Sequence, residues 1–356
     1  MSKKHVDIKL SQLHLKVVDK LDVTAVPKGK TTRLLVNMVA TGIGSPIQIP
    51  VIVARGTKPG PVLGVTAVIH GNELNGIPVI QRLFQEIKPS HLKGTIVAVP
   101  VLNIPGFLTN RREFNDGSDL NRQFPGREAG SCGQVYANRL MERIICQFEY
   151  LIDLHTASFG RANSLYVRAD MTAGVTAWMA KLQQPQIILH NHGADGTLRG
   201  AAVARGIPAI TVEVGNPQRF QRGLIRSSLI GIHNVIGHLK MLPLREIEGG
   251  SEPLVCKRSY WLNTDCGGLL EVYPTVASRV KKGEIVGRVT NVFGDVIREY
   301  SAPEDGVVIG KNANPVNQTG ARILHLGIVG KLKILHKTLP RVEPKRRMRR
   351  NKKIGQ

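Results

Sequence analysis

The run Val62–Ile69 stops at His70-Gly71-Asn72-Glu73, and this junction restricts the fold more than any other stretch of the chain. The run has the length and β-branched content of a buried strand. Helical spacing starts directly after it, with Ile80, Leu83, Phe84 and Ile87 at i, i+3, i+4 and i+7. Pro78 falls near the start of that helix, where proline is tolerated. His70 and Glu73 therefore sit in a strand-to-helix turn at the carboxyl end of a strand, the edge where open α/β sheets bind ligands. An imidazole and a carboxylate three residues apart can close on one metal ion, and zinc accepts both donor types. A lone His-x-x-Glu is common, so the reading depends on what else reaches that edge.

Two later segments reach it. Leu151-Ile152-Asp153-Leu154-His155-Thr156 is a second apolar strand, ending in a histidine. Ala209-Ile210-Thr211-Val212-Glu213-Val214-Gly215 is a third, ending in a carboxylate. Between the 70–73 junction and the first of them, Asn103–Gly130 has little periodicity and many Gly, Asn, Asp and Arg residues. A long irregular segment inside a compact domain is usually functional.

HGNE at 70–73, the block REFNDGSDLNRQFPG at 112–126, DLHT at 153–156 and TVEVG at 211–215 resemble the succinylglutamate desuccinylase/aspartoacylase family of zinc carboxypeptidase-like hydrolases. The resemblance spans roughly residues 61–242 and continues more loosely to 329. It implies one zinc ion per chain, held by His70, Glu73 and His155 with a position left open for water. It implies Glu213 as the general base and acid, and Arg112 as the group that polarises the scissile carbonyl. Asn121 and Arg122 match the pair that holds a substrate carboxylate, which arginine grips bidentately. A further carboxylate arginine lies upstream of the catalytic glutamate, and Arg199 and Arg205 both fit; Arg199 is carried forward. Asp119 could orient His70, as metal-bound histidines usually require. Tyr273 is a candidate for a tyrosine that the family draws from its C-terminal region. His190 and His192 have no counterpart in the family pattern and read as loop.

Elsewhere, strand patterns alternate with helical ones at Ala137–Phe148, Val175–Leu182 and Ile225–Leu239. That alternation argues for a doubly wound, mainly parallel α/β sheet with helices on both faces. Residues 1–60 read as an N-terminal β extension, with a strand pair at Thr31–Ala40 and Pro46–Ala54. Residues 61–245 read as the catalytic domain. After a linker at Pro243–Pro253, residues 253–330 change to short strands and glycine turns, like a barrel-sandwich β domain. The hairpin between its turns offers no carrier lysine, only Phe293-Gly294-Asp295-Val296-Ile297-Arg298, so a structural domain at the active-site mouth is expected.

Charge bears on partners. The net charge is +23, and Arg341–Lys353 supplies eight Lys/Arg against one Glu, leaving +16 on the rest. Residues 341–356 read as a disordered basic tail able to contact a polyanion. The four cysteines form no CxxC pair and no dense framework, so reduced thiols in a cytoplasmic protein are expected. MSKKHVDIKLSQ lacks the apolar core of a signal peptide, no stretch approaches a transmembrane span, and homo-oligomerisation is left open.

The expected activity is hydrolysis of an amide bond in an anionic, carboxylate-bearing small molecule, such as an N-acyl amino acid, or an acidic peptide. The rival is an RNA- or ribosome-associated binding protein on a hydrolase fold, suggested by the tail.

Overall fold

The computed structural model describes residues 15–244 and 252–331. The basic tail and most of the expected linker lie outside the described residues. In chain order the first strands are β1 (Lys16–Val18), β2 (Lys30–Ala40), β3 (Pro46–Arg55) and β4 (Lys58–Ala67). Helix α1 (Gly76–Glu86), β5 (Lys93–Val99), α2 (Ile104–Leu108), α3 (Cys132–Arg143) and β6 (Tyr150–His155) follow. Next come β7 (Arg161–Asn163), β8 (Leu165–Ala169), α4 (Gly174–Leu182), β9 (Ile187–His190), α5 (Leu198–Ala204), β10 (Ala209–Val214) and α6 (Arg222–His238). The C-terminal strands are β11 (Leu254–Asn263), β12 (Gly268–Val272), β13 (Arg279–Val280), β14 (Ile285–Thr290), β15 (Val296–Ser301), β16 (Gly306–Asn312), β17 (Val316–Asn317) and β18 (Arg322–Val329).

One large sheet runs β1-β2-β3-β5-β4-β6-β10-β8-β9-β11-β18-β16-β13. Its centre, β5-β4-β6-β10, is parallel. Strand β6 is buried along its whole length, as a strand covered on both faces should be. One apolar layer includes side chains of α1, α4 and α6. The other includes side chains of α3, α5 and the β2–β3 pair. The helices thus cover both faces, as the alternating pattern implies.

The sheet is mixed, not mainly parallel as the alternation predicts. β3 enters by a short hairpin from β2 and pairs antiparallel with β5. β8 follows β6 with no crossover helix and pairs antiparallel with β10; only a long crossover returns a strand parallel. Nor does the large sheet stop at residue 245. β11 pairs parallel with β9, from Leu254 opposite Ile187, and antiparallel with β18. A second sheet, β15-β14-β12-β17, shares an apolar core with β16 and β18 through Leu270, Val289, Val308 and Leu326. None of the described helices is long and apolar enough to cross a membrane.

The strand-to-helix turn after β4 is tightly constrained. Val68 has φ +56°, a region that costs a β-branched residue about 1–3 kcal/mol. Two bonds from the exit of β5 hold it, Leu102 N to Ala67 O at 3.0 Å and Asn103 N to Val68 O at 2.9 Å. Gly71 presses on α2: a Cβ there would lie 1.9 Å from the Gly106 carbonyl carbon and 2.3 Å from Phe107 N. These obstacles are backbone and cannot rotate away. Gly71→Ala should therefore cost about 1–3 kcal/mol or more, in line with other overpacking changes. A lowered denaturation midpoint with unchanged m-value is expected; a wild-type midpoint would show that α2 yields freely.

Candidate active site

The carboxyl ends of β4, β6 and β10 meet at one cavity of about 380 Å³. His70, Glu73 and His155 face it from the ends of β4 and β6, and Glu213 from β10. Arg112, Asn121 and Arg122 reach it from the irregular segment, and Arg199 from α5. All eight residues singled out for metal, catalysis or substrate line the cavity. Arg205 does not; it pairs with Glu142. Tyr273 is 41% exposed and is absent from the lining, to which Tyr166 and Tyr260 contribute.

Glu73 is the hub. It is 2% exposed, and both its oxygens are engaged. Oε1 lies 2.7 Å from His70 Nδ1 and 3.1 Å from Arg112 Nη1. Oε2 lies 3.1 Å from His155 Nδ1 and accepts the Thr156 amide at 3.1 Å. Burial alone would raise its pKa, but His70 and His155 outweigh that and hold the carboxyl well below the usual range.

Each histidine is braced on its far nitrogen. His70 Nε2 bonds Asp119 Oδ1 at 3.1 Å, and His155 Nε2 bonds Asp153 Oδ2 at 2.8 Å. Asp153 is 1% exposed, and its other oxygen accepts Thr66 Oγ1 at 2.6 Å. An unpaired buried carboxylate would be costly, and these two bonds remove that cost. Burial disfavours a charged His155, yet Asp153 and Glu73 hold its pKa well above the ordinary imidazole range.

The donor set suits a divalent cation. His70 Nδ1 is buried and has no hydrogen-bond partner among the described residues; Glu73 Oε1, though close, does not meet it with hydrogen-bonding geometry. His70, Glu73 and His155 each offer a ligand atom, all within 4.8 Å of one another. Two imidazoles and one carboxylate, with carboxylates behind the imidazoles, form a donor set that zinc accepts. A second group, Asp170, His190 and His192, also converges. There the Met171 amide occupies His190 Nδ1 at 3.1 Å, and His192 is largely exposed. His190 ends β9, and His192 lies in the loop beyond it.

The remaining cavity is strongly cationic. Arg112, Arg122, Arg161, Arg168, Arg199 and Arg322 line it against the carboxylates of Glu73, Asp119 and Glu213. Arg112 donates to Asp119 Oδ2 at 2.8 Å and to Ser158 Oγ at 2.6 Å. Burial pulls Arg199 down to about 10, with Arg168 adding to the effect. Burial likewise pulls Arg161 down to about 10, aided by Arg322 and Arg112. Arg199 is fixed by Asn191, whose backbone and side-chain oxygens both accept from it. Glu213 Oε1 lies 3.4 Å from Arg168 Nε, and Oε2 accepts Asn163 Nδ2 at 3.2 Å.

Sequence reasoning missed Asp153, Asn163, Tyr166, Arg168 and the C-terminal wall of Tyr260, Trp261, Arg322 and His325. Asp153 was findable: it stands two residues before His155, and a strand's period of two puts both on one face. The wall carries no motif, because its residues come from β11 and β18.

Comparison with known proteins agrees with the geometry. The family model for the succinylglutamate desuccinylase/aspartoacylase catalytic domain matches residues 59–239, just over half of the 356-residue chain. The chain belongs to that family. It is 24% identical over 279 residues to an N-alpha-acetyl-L-2,4-diaminobutyric acid deacetylase from Halomonas elongata, covering 74% of this chain and 81% of that protein. Its fold resembles a succinylglutamate desuccinylase/aspartoacylase from Rhodobacter sphaeroides, with TM-score 0.79, 20% identity and coverage of 89% and 99%. It also resembles the product-bound ectoine utilization protein EutE (DoeB) from Ruegeria pomeroyi, with TM-score 0.77, 19% identity and coverage of 85% and 97%. Named members of the family are deacylases, and as a member of it the chain is an amide hydrolase.

Two metal measurements follow. His70→Ala and His155→Ala should each lose stoichiometric metal; full occupancy in either purified variant would remove that residue from the ligand set. Asp153→Asn should keep the ligands but weaken metal affinity about 10–100-fold, and unchanged affinity in a chelator competition would make its contact incidental.

Proposed function

We propose that the chain is a zinc-dependent deacylase that cleaves the amide bond of a small N-acyl amino acid with a free carboxylate. The observation that carries this reading is the convergence of His70, Glu73 and His155 with Glu213 in one cationic cavity. The volume, about 380 Å³, falls within the range of small-molecule sites. It favours a compact N-acyl amino acid over an acidic peptide. The activity that names the Halomonas elongata relative, deacetylation of an N-acetyl amino acid, supports the same class.

His70, Glu73 and His155 would hold the zinc, which supplies Lewis acidity and brings the pKa of water toward ~7. The chain's own groups divide the remaining work. Arg122, with Asn121 and Arg199 lining the same cavity, would hold the substrate carboxylate. Asn121 is itself fixed through Oδ1, which accepts the Leu198 amide at 2.8 Å. A guanidinium carries five N–H donors, and the bonds of Arg112 to Glu73, Asp119 and Ser158 leave some to meet the developing oxyanion. Glu213 would take a proton from the attacking water and deliver it to the leaving nitrogen. In this reading the C-terminal strands are a barrel-sandwich-like unit that walls the cavity and has no carrier function. The rival role, an RNA- or ribosome-associated binding protein on a hydrolase fold, sits poorly with a complete donor set and Glu213 in the same cavity.

Glu213→Gln should retain the metal and lower kcat about 10²–10⁴-fold. Near-normal turnover of N-acetyl and N-succinyl amino acids would move the base elsewhere. Arg122→Ala should act mainly on KM, because charged hydrogen bonds contribute about 1.5–3 kcal/mol each. Steady-state kinetics decide it, and an unchanged KM would place the carboxylate elsewhere.

A further inference from the structure

Glu213 is held by a residue that the C-terminal strands position. Asn163 is 8% exposed and donates Nδ2 to Glu213 Oε2 at 3.2 Å. The reverse amide orientation would set oxygen against carboxylate oxygen. Its backbone is pinned on two sides. The Asn163 amide donates to Asn216 Oδ1 at 3.1 Å, just beyond the end of β10. Strand β7, which Asn163 ends, pairs with β16, with Gly310 opposite Asn163, Lys311 opposite Ala162 and Asn312 opposite Arg161. Next along the chain, Ser164 bonds the Ile309 carbonyl through its amide at 3.1 Å and its hydroxyl at 3.0 Å.

The contact at Gly310 is unusually close. A Cβ there would lie 2.3 Å from Asn163 Oδ1 and 3.0 Å from the Ala162 carbonyl oxygen. Any side chain at 310 would push the Asn163 carboxamide out of place. The glycine is needed here for close approach, not for an unusual backbone angle. With Oδ1 seated on Gly310, Nδ2 points at Glu213. Arg168 meets the other carboxylate oxygen, and Arg168 is in turn fixed by Tyr166, whose hydroxyl accepts from it at 2.6 Å and 3.2 Å.

We propose that Asn163 is a positioning residue for the reaction, fixing the Glu213 carboxylate, and that Gly310 of β16 sets Asn163. The C-terminal strands then belong to the catalytic apparatus and are more than a wall around it. This inference rests on Glu213 being the proton-transfer group. A general base must lie within hydrogen-bond reach of its proton, and a misplacement of about 1 Å can cost about 10²-fold in rate.

The test is a double-mutant cycle on the full-length, metal-loaded protein, using whichever N-acyl amino acid is turned over. Asn163→Ala should lower kcat about 10–100-fold, with KM and metal content near wild type. In the Glu213→Gln background the same change should cost little more, because the group that Asn163 positions no longer transfers a proton. Gly310→Ala should repeat the pattern, and it serves as the measured variant if Asn163→Ala fails to fold. Wild-type kcat in a folded Asn163→Ala or Gly310→Ala protein would overturn the proposal. So would a loss that multiplies in full in the Glu213→Gln background. Near-normal turnover by Glu213→Gln alone would instead refute the underlying assignment of the base, a separate result.

Discussion

Everything at this site depends on a single buried carboxylate that several groups share. Glu73 receives His70 on one oxygen and His155 and a backbone amide on the other, with Arg112 alongside. An isolated carboxylate at that depth would lose several kcal/mol of hydration. Positive or polarised partners on both oxygens reverse the balance, which is why its pKa falls although burial pushes it up. The same convergence leaves His70 Nδ1 without a hydrogen-bond partner among the described residues, an atom free to serve as a ligand in the proposed metal site. The strain at Val68 and the contact of Gly71 with α2 belong to the same constraint. They bring the turn after β4 to the point where Glu73 can meet β6.

Much of this was legible in the sequence. Strands β4, β6 and β10 announce themselves as apolar runs, and each delivers its polar residue at the carboxyl end. Parallel pairing of β4, β6 and β10 then puts His70, His155 and Glu213 on one edge; in the β6–β10 ladder Glu213 stands opposite His155. The mixed character of the sheet was not legible. The orientation of β8 depends on its pairing with β10, some 45 residues further along, and no local pattern records that. The choice between Arg199 and Arg205 also needed the fold. Both lie on or just after α5, yet one helix face turns Arg199 to the cavity and leaves Arg205 with Glu142.

The C-terminal third was the least legible part and proves close to the chemistry. Composition marks it as a β domain but not where its strands go. Once β11 is laid against β9, Trp261, His325 and Arg322 face the cavity from strands far from any motif. His325 shows how specialised that wall is: burial, with Arg168, Arg322 and Arg161 nearby, pulls its pKa to about 3. The imidazole is thus held neutral, hydrogen-bonded to Ser259 and stacked on Trp261. A neutral ring among guanidiniums adds no charge to a cavity already rich in cations, and the cationic character stays with arginines able to meet an anionic substrate.

In the proposed function, one carboxylate and two imidazoles hold the metal on which turnover depends. X-ray absorption at the zinc edge of the metal-loaded, full-length protein tests it most directly. About one zinc per chain is expected, bound only to nitrogen and oxygen, with the multiple scattering of two imidazoles. A sulfur ligand, fewer than two imidazoles, or zinc spread over several weak sites would contradict it.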